Sequence, residues 1–401
     1  MTCPSRALLL AVAVVLSASG CHEHDTPPPT PASSAAPAAS IASATSLSNS
    51  EASRASDPLT PPSPSSPSSA ATGEAPPFHP QRVTSEDKAM GTHVALAAYT
   101  TPTLDETAVR AAFTASVAEI RRLEALMTTW RPDSELSQVN AAAGKTPVVV
   151  GEETFAVVKE AVHASEISGG TFDITFESLH GLWKFDQDLD PHPPTDAQIK
   201  AKLPFVGYHH IHLDPAARSI YLDNAGTKIS LGGIAKGYAV DRAAKVLHDA
   251  GLTSFFVQAG GDLYTAGKKP DGSDWAAGIR DPRGPDGSYF AKLLVTDHAF
   301  STAGDYERSY VINGKRYHHI IDPRSGKPAT ASRSVTIYAP TALLADEIDD
   351  AVFILGPEKG LKLVESLDDV GAVIVDAHNN LHVSKRLQGK LLVTAVPTDA
   401  P

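Results

Sequence analysis

Ile229-Ser230-Leu231-Gly232-Gly233-Ile234-Ala235-Lys236-Gly237-Tyr238-Ala239-Val240-Asp241 reads as a short strand, a glycine pair and the start of a helix. Glycines let backbone N–H groups approach a phosphate, and a helix N-terminus favours anions. Lys236 adds a positive charge. The spacing is neither G-x-G-x-x-G nor a P-loop, so it supports neither of those nucleotide-binding folds. Two readings stand at this point: a phosphate cradle, or a tight strand-to-helix turn.

Around this segment, helices and strands are interspersed without a regular βαβ alternation, which predicts an α+β fold. Upstream, residues 92–99 are apolar enough for a buried strand. Thr103 and Glu106 form a capping-box pattern. Behind them Phe113, Val117, Ile120 and Leu123 recur at helical spacing, so residues 104–129 predict a long amphipathic helix. A second helix is expected over residues 152–167. Short strands are expected at 219–222, 254–258, 293–296, 335–338 and 372–375. Asn313-Gly314, between Tyr310-Val311-Ile312 and Lys315-Arg316-Tyr317, is a strong hairpin signal. Residues 341–355 read as a helix.

That last helix carries Ala345-Asp346-Glu347-Ile348-Asp349-Asp350. Asp346, Asp349 and Asp350 share one face at i, i+3 and i+4, opposite the stripe Leu344, Ile348, Val352 and Leu355. Like charges at this spacing repel unless something neutralises them. Phe353 falls on the acidic side, which suggests that this side is covered. Clustered carboxylates suit a hard divalent ion such as Mg²⁺; a solvated face is the alternative. In Tyr317-His318-His319-Ile320-Ile321-Asp322, His319 is a candidate base or ligand contact, set against an ordinary surface histidine. Gly169-Gly170-Thr171-Phe172-Asp173, followed by Trp183 and Phe185, suits either a planar ring or core packing around a turn.

The 401 residues carry a formal charge of -12, which argues against a nucleic-acid partner. Residues 1–20 read as a signal peptide: Arg6, an apolar run at 7–16, then the small residues Ala18-Ser19-Gly20. The run is far shorter than the roughly 20 residues needed to span a bilayer. Cys21 follows in the position of a lipobox cysteine, although Ala18 stands where Leu is usual. A lipid on Cys21 would anchor the protein at a membrane surface. No cysteine follows Cys21, so the folded part has neither a disulfide nor a thiolate metal site. Residues 21–80, rich in Pro, Ser and Ala, predict a disordered tether. A single domain is expected over residues 81–396.

Taken together and in order, these blocks resemble the ApbE family, the FAD:protein FMN transferases. The matching stretches are Met90-Gly91-Thr92, the segment from Met127 to Ser137, the block at Gly169, the block at Leu231, Ala259-Gly260-Gly261-Asp262, the segment from Ser301 to Arg308, the block at His318 and Ala345-Asp346. The resemblance implies a T-fold-like domain with an FAD and Mg²⁺ cleft. It places Met90, Trp130, Thr171, Phe172, Asp173, Ser230, Lys236 and Ile320 at flavin-nucleotide contacts. Gly233, Asp346, Asp349 and Asp350 fall at metal positions, with Gly233 and Asp349 contributing carbonyls. Ser230 stands where many members carry Asp, and Asp350 where many carry Thr.

The implied reaction moves FMN from FAD to a Thr or Ser hydroxyl of an acceptor protein and releases AMP. His319 is the expected positioning group or base for that hydroxyl. The acceptors implied are membrane redox subunits, and the implied location is the periplasmic side of a bacterial membrane. Competing readings are hydrolysis of FAD to FMN and AMP, a non-catalytic flavin carrier, and a purely structural lipoprotein.

Overall fold

The computed structural model describes residues 77–185 and 188–400. The expected leader at 1–20, the lipidation site Cys21 and nearly all of the tether lie outside the described residues. Regular structure starts with the strand Arg82–Ala89.

Eight strands form one sheet in the order Arg82–Ala89, Thr92–Tyr99, Phe255–Ala259, Asp262–Ala266, His298–Gly304, Ser332–Ala339, Gly371–Asp376 and Leu381–Val383. Neighbouring strands in this sheet pair antiparallel. Strand alternation divides their side chains between two cores. Leu96, Phe255, Val257, Ile337 and Ile374 join the core under the helices. Ala97, Phe256, Tyr338, Val373 and Val375 join the opposite core. That second core is shared with a three-stranded sheet built from Trp275–Arg280, Tyr289–Val295 and Leu391–Val393. The α+β expectation therefore holds.

Helix α1 spans Glu106–Met127, α2 Glu135–Ala141, α3 Glu152–Ser168, α4 Asp196–Lys202, α5 Ala235–Asp249 and α6 Ala342–Ser366. The buried residues Phe113, Val117, Ile120 and Leu123 form the inward stripe of α1, as their spacing predicts. Its cap differs from expectation. Asp105, not Thr103, accepts the Ala108 N–H at 2.9 Å. Thr101 and Leu104 instead close a small backbone bridge ahead of the helix, which occupies the segment where the capping box was expected. Asn313 and Gly314 both adopt left-handed φ (50° and 77°), the requirement of a two-residue hairpin turn. Helix α6 runs beyond residue 355 but is broken at Gly356, which leaves the helical region (φ 74°, ψ -179°) just before Pro357. Among the described residues no helix is long and apolar enough to cross a membrane.

Candidate active site

Residues 229–234 form a turn, not the short strand expected there. Ile229 and Ser230 are bound elsewhere: Ile229 by the Asn140 side chain, and the Ser230 N–H by the Ile174 carbonyl at 3.0 Å. Those contacts take the backbone bonds that strand pairing would need. The turn opens α5, whose first residues meet α6 closely. Asp241 of α5 accepts the Ala342 and Leu343 N–H groups at 2.8 and 2.9 Å, so one helix caps the other. At Gly237 the helices touch: a Cβ there would lie 2.2 Å from the Ala342 carbonyl oxygen. Only glycine permits that approach.

This contact brings the acidic face of α6 onto the start of α5. Gly237 N–H donates to Asp346 Oδ2 at 2.9 Å, and Lys236 Nζ donates to Asp346 Oδ1 at 3.0 Å. In a regular helix the Gly237 N–H would go to the Gly233 carbonyl. Its diversion to Asp346 spares that carbonyl as a donor toward a cation. Asp350 closes the other side: a Cβ on Gly233 would lie 3.3 Å from Asp350 Oδ2 and 3.3 Å from the Phe172 ring. The solvated-face reading therefore fails, since Asp346 and Asp349 are 3% and 4% exposed.

Two residues that the sequence reading left without a role complete the cluster. Asp262, 1% exposed, lies 3.0 Å from Lys236 Nζ through Oδ2. Ser301 Oγ lies 2.6 Å from Asp262 Oδ1 and 2.6 Å from Asp349 Oδ2. The Ser301 hydroxyl therefore links the two carboxylates. Burial, then Asp350 and Asp346, raise the Asp349 carboxyl well above the usual range. Its side chain joins the network through Ser301. The only sequence signal for Asp262 and Ser301 was their place in the Gly260-Gly261-Asp262 and Ser301–Arg308 blocks.

The electrostatics follow from burying four carboxyls around one ammonium. Asp346 is pushed up to about 7 by burial and then by Asp262, against Lys236. Asp350 is pushed up to about 6 by burial, with Lys236 and Arg308 opposing. Burial opposes the charge on Lys236, but Asp262, Asp346 and Asp349 outweigh it and raise its pKa. Among the described residues no three His, Cys, Asp or Glu side chains converge as a ready-made cation cage. The donor set is instead two carboxylates plus backbone oxygen, hard donors that fit Mg²⁺.

The two adjacent histidines have different roles. His318 is 3% exposed; its Nε2 meets the Ala329 carbonyl at 2.8 Å and its Nδ1 accepts the Ile320 N–H at 3.3 Å. Both nitrogens are spent on the fold, and the ring edge packs on Phe353. His319 has a buried Nδ1 with no hydrogen-bond partner. Burial, then Arg308 and His318, hold its pKa well below the usual imidazole range. The His319 backbone N–H donates to the Arg308 carbonyl at 3.1 Å. Ile320, 3% exposed, bonds back through its carbonyl to Ala329.

The remaining candidates surround this centre unevenly. Met90 sits in the first hairpin turn with left-handed φ (51°). That turn leads into Thr92, whose Oγ1 would lie 2.8 Å from a Cβ on Gly260, so it abuts the turn that delivers Asp262. Thr171 is buried and its hydroxyl donates to the Ser168 carbonyl at 3.1 Å. Asp173 spends both oxygens locally, accepting from Thr175 and from the Tyr208 N–H at 2.7 Å. Thr171 and Asp173 thus shape the turn that presents Phe172 to Gly233. Ser230 Oγ accepts the Gly232 N–H at 3.4 Å. Trp130 is 83% exposed, its ring edge-on to His180, at the rim of the segment that follows Asp173.

Comparisons with known proteins point to one family. Residues 90–374 match the model described as the ApbE family. An FAD:protein FMN transferase of Treponema pallidum is 33% identical over 288 residues, covering 68% of this chain and 79% of that protein. Among solved structures, the ApbE protein of Thermotoga maritima aligns with a TM-score of 0.70 at 32% identity, over 77% of this chain and 99% of that one. The flavin transferase ApbE from Vibrio cholerae aligns with a TM-score of 0.69 at 26% identity, over 78% and 100%.

Proposed function

The chain belongs to the ApbE family, and from that premise we propose that it is a flavin transferase that moves FMN from FAD onto a Thr or Ser hydroxyl of an acceptor protein, releasing AMP. The observation that carries the chemistry is the closure of Asp346 and Asp350 over Gly233, Lys236 and Gly237. Asp346, Asp350 and the spared Gly233 carbonyl would hold Mg²⁺, with the Asp349 side chain neighbouring them. Bound there, the ion would offset the diphosphate's charge and polarise its oxygens.

The chain's own residues supply the rest. The turn at 230–234 and the α5 N-terminus receive the phosphates, and Lys236 adds a positive charge. Met90, Trp130, Phe172 and Ile320 border the space for the flavin nucleotide, and the bonds of Thr171, Asp173 and Ser230 keep that border in place. His319 takes the acceptor hydroxyl proton as the oxygen attacks the FMN-side phosphorus. The new P–O bond forms as the bond to the bridging oxygen breaks, and AMP leaves with the electron pair.

Incubation with FAD, Mg²⁺ and a membrane redox subunit bearing an acceptor Thr or Ser tests this reading by intact mass. An FMN-sized gain with matching AMP is expected. Free AMP without the gain would make the protein an FAD hydrolase, and neither product would make it a flavin carrier.

Cys21 and the residues behind it suit a lipid-anchored enzyme on the periplasmic side of a membrane, with a tether long enough to reach membrane-embedded acceptors. Cys21→Ala is expected to move the protein from the membrane to the soluble fraction. An unchanged distribution would remove the anchor from this picture.

A further inference from the structure

Lys236 stands between two carboxylates, only one of which is proposed to hold the cation. Its Nζ lies 3.0 Å from Asp262 Oδ2 and 3.0 Å from Asp346 Oδ1. The other oxygen of Asp346 accepts the Gly237 N–H. Both oxygens of Asp346 are therefore engaged, and a cation arriving there competes with these partners for the carboxylate's charge. The backbone N–H is fixed by the α5–α6 contact, so the ammonium is the partner that can yield. A half-buried ammonium that loses an ion-pair partner is disfavoured. Asp262 is placed to prevent that.

We infer that Asp262 is a positioning residue, which keeps Lys236 in the site by ion pairing when Asp346 turns from the ammonium to a divalent cation. Asp262 is suited to hold still. It is 1% exposed, begins the central strand Asp262–Ala266, and receives the Ser301 hydroxyl on Oδ1 at 2.6 Å. The preceding Gly261 packs against Thr302, where a Cβ would lie 3.0 Å from the carbonyl oxygen. The ammonium thus has one permanent partner on the sheet and one exchangeable partner on α6. Without the permanent partner, Asp346 is the carboxylate left at ion-pair distance from Lys236, and the ammonium competes directly with the cation. The inference rests on the reading of Asp346 as a metal ligand and adds a residue which that reading does not contain.

Calorimetric titration of the full-length protein with Mg²⁺ alone, without FAD, tests it on wild type, Asp262→Asn, Lys236→Gln and the double variant. Asp262→Asn is expected to weaken Mg²⁺ binding by about tenfold or more, the usual scale for an outer-shell partner. Lys236→Gln is expected to bind Mg²⁺ more tightly than wild type, because the competitor is gone. In that background Asp262→Asn is expected to have little effect. An equal loss in both backgrounds would mean that Asp262 acts only through its own charge, and the inference falls. Should Asp262→Asn fail to fold by circular dichroism, Lys236→Gln decides alone, and unchanged or weaker binding overturns the inference. A folded wild type that takes up no Mg²⁺ is a different failure, which removes Asp346 as a metal ligand.

Discussion

Gly237 and Ala342 touch backbone to backbone where α5 crosses α6, and any side chain at Gly237 would also come within 2.8 Å of Asp346 Cβ. The turn ahead of α5 and the acidic helix are held in register by this contact. Gly237→Ala is therefore expected to cost about 1–3 kcal/mol, the usual scale for overpacking. Urea unfolding measures that loss, and FMN transfer should fall further than the stability loss accounts for. A variant as active as wild type would show that the register is not needed.

Asp346 is expected to be indispensable. Asp346→Asn keeps the volume but removes the charge, and should lower transfer by at least about a hundredfold, beyond what outer-shell changes usually do. Mass spectrometry of the acceptor at saturating FAD measures it. Full transfer by this variant would exclude Asp346 as the residue that holds the metal.

The two histidines should separate cleanly. His319→Gln is expected to lower kcat by about 10²–10⁴-fold with little change in Tm, as for loss of a general base. His318→Ala is expected to lower Tm, because it leaves the Ala329 carbonyl and Ile320 N–H unpaired inside the fold. The reverse pattern would exchange their roles.

Glu347 gives a pH test that is independent of catalysis. Burial, then Glu160 and Asp346, push it up to about 9. The folded state therefore holds a proton that the unfolded state releases near the usual carboxylate value. Stability from this group is complete below that value and is lost as pH rises through about 9. Glu347→Gln should flatten the fall in urea midpoint between those limits, by up to about 1.4 kcal/mol per pH unit. An unaltered slope would show that Glu347 is ionised in the native protein.

Arg283 and Asp305 form a buried bidentate pair at 2.6 and 2.7 Å. Arg283→Met should cost about 3–5 kcal/mol, since it leaves a carboxylate buried without a partner. A double variant that also carries Asp305→Leu should recover much of the loss. Equal stability of the single and double variants would argue against an uncompensated charge.

Elements governed by local rules were legible in the sequence. Asn313-Gly314 dictated its hairpin because the turn demands left-handed backbone at both positions. The α1 stripe was plain from its period, and Phe353 on the acidic side of α6 foretold that this side is covered. What stayed hidden depends on partners far along the chain. Asp262 matters through Lys236, 26 positions earlier, and Ser301 through both Asp262 and Asp349. The strand expected before Gly232 did not form, because the Asn140 side chain and the Ile174 carbonyl occupy its backbone. The bonds of the Asp173 oxygens to Thr175 and Tyr208 were hidden as well, since the second depends on a residue 35 positions away.

The interruption of α6 has a consequence for how this protein tolerates change. Gly356 leaves helical geometry, and Pro357 offers no N–H to the preceding turn. Helical cooperativity passes from turn to turn through those bonds, so it stops there. Fraying of residues 358–366 is thereby not passed through the backbone bonds to the aspartates upstream. The rear of the helix depends instead on packing, with Gly360 close against Val352 and Val364 inside the core.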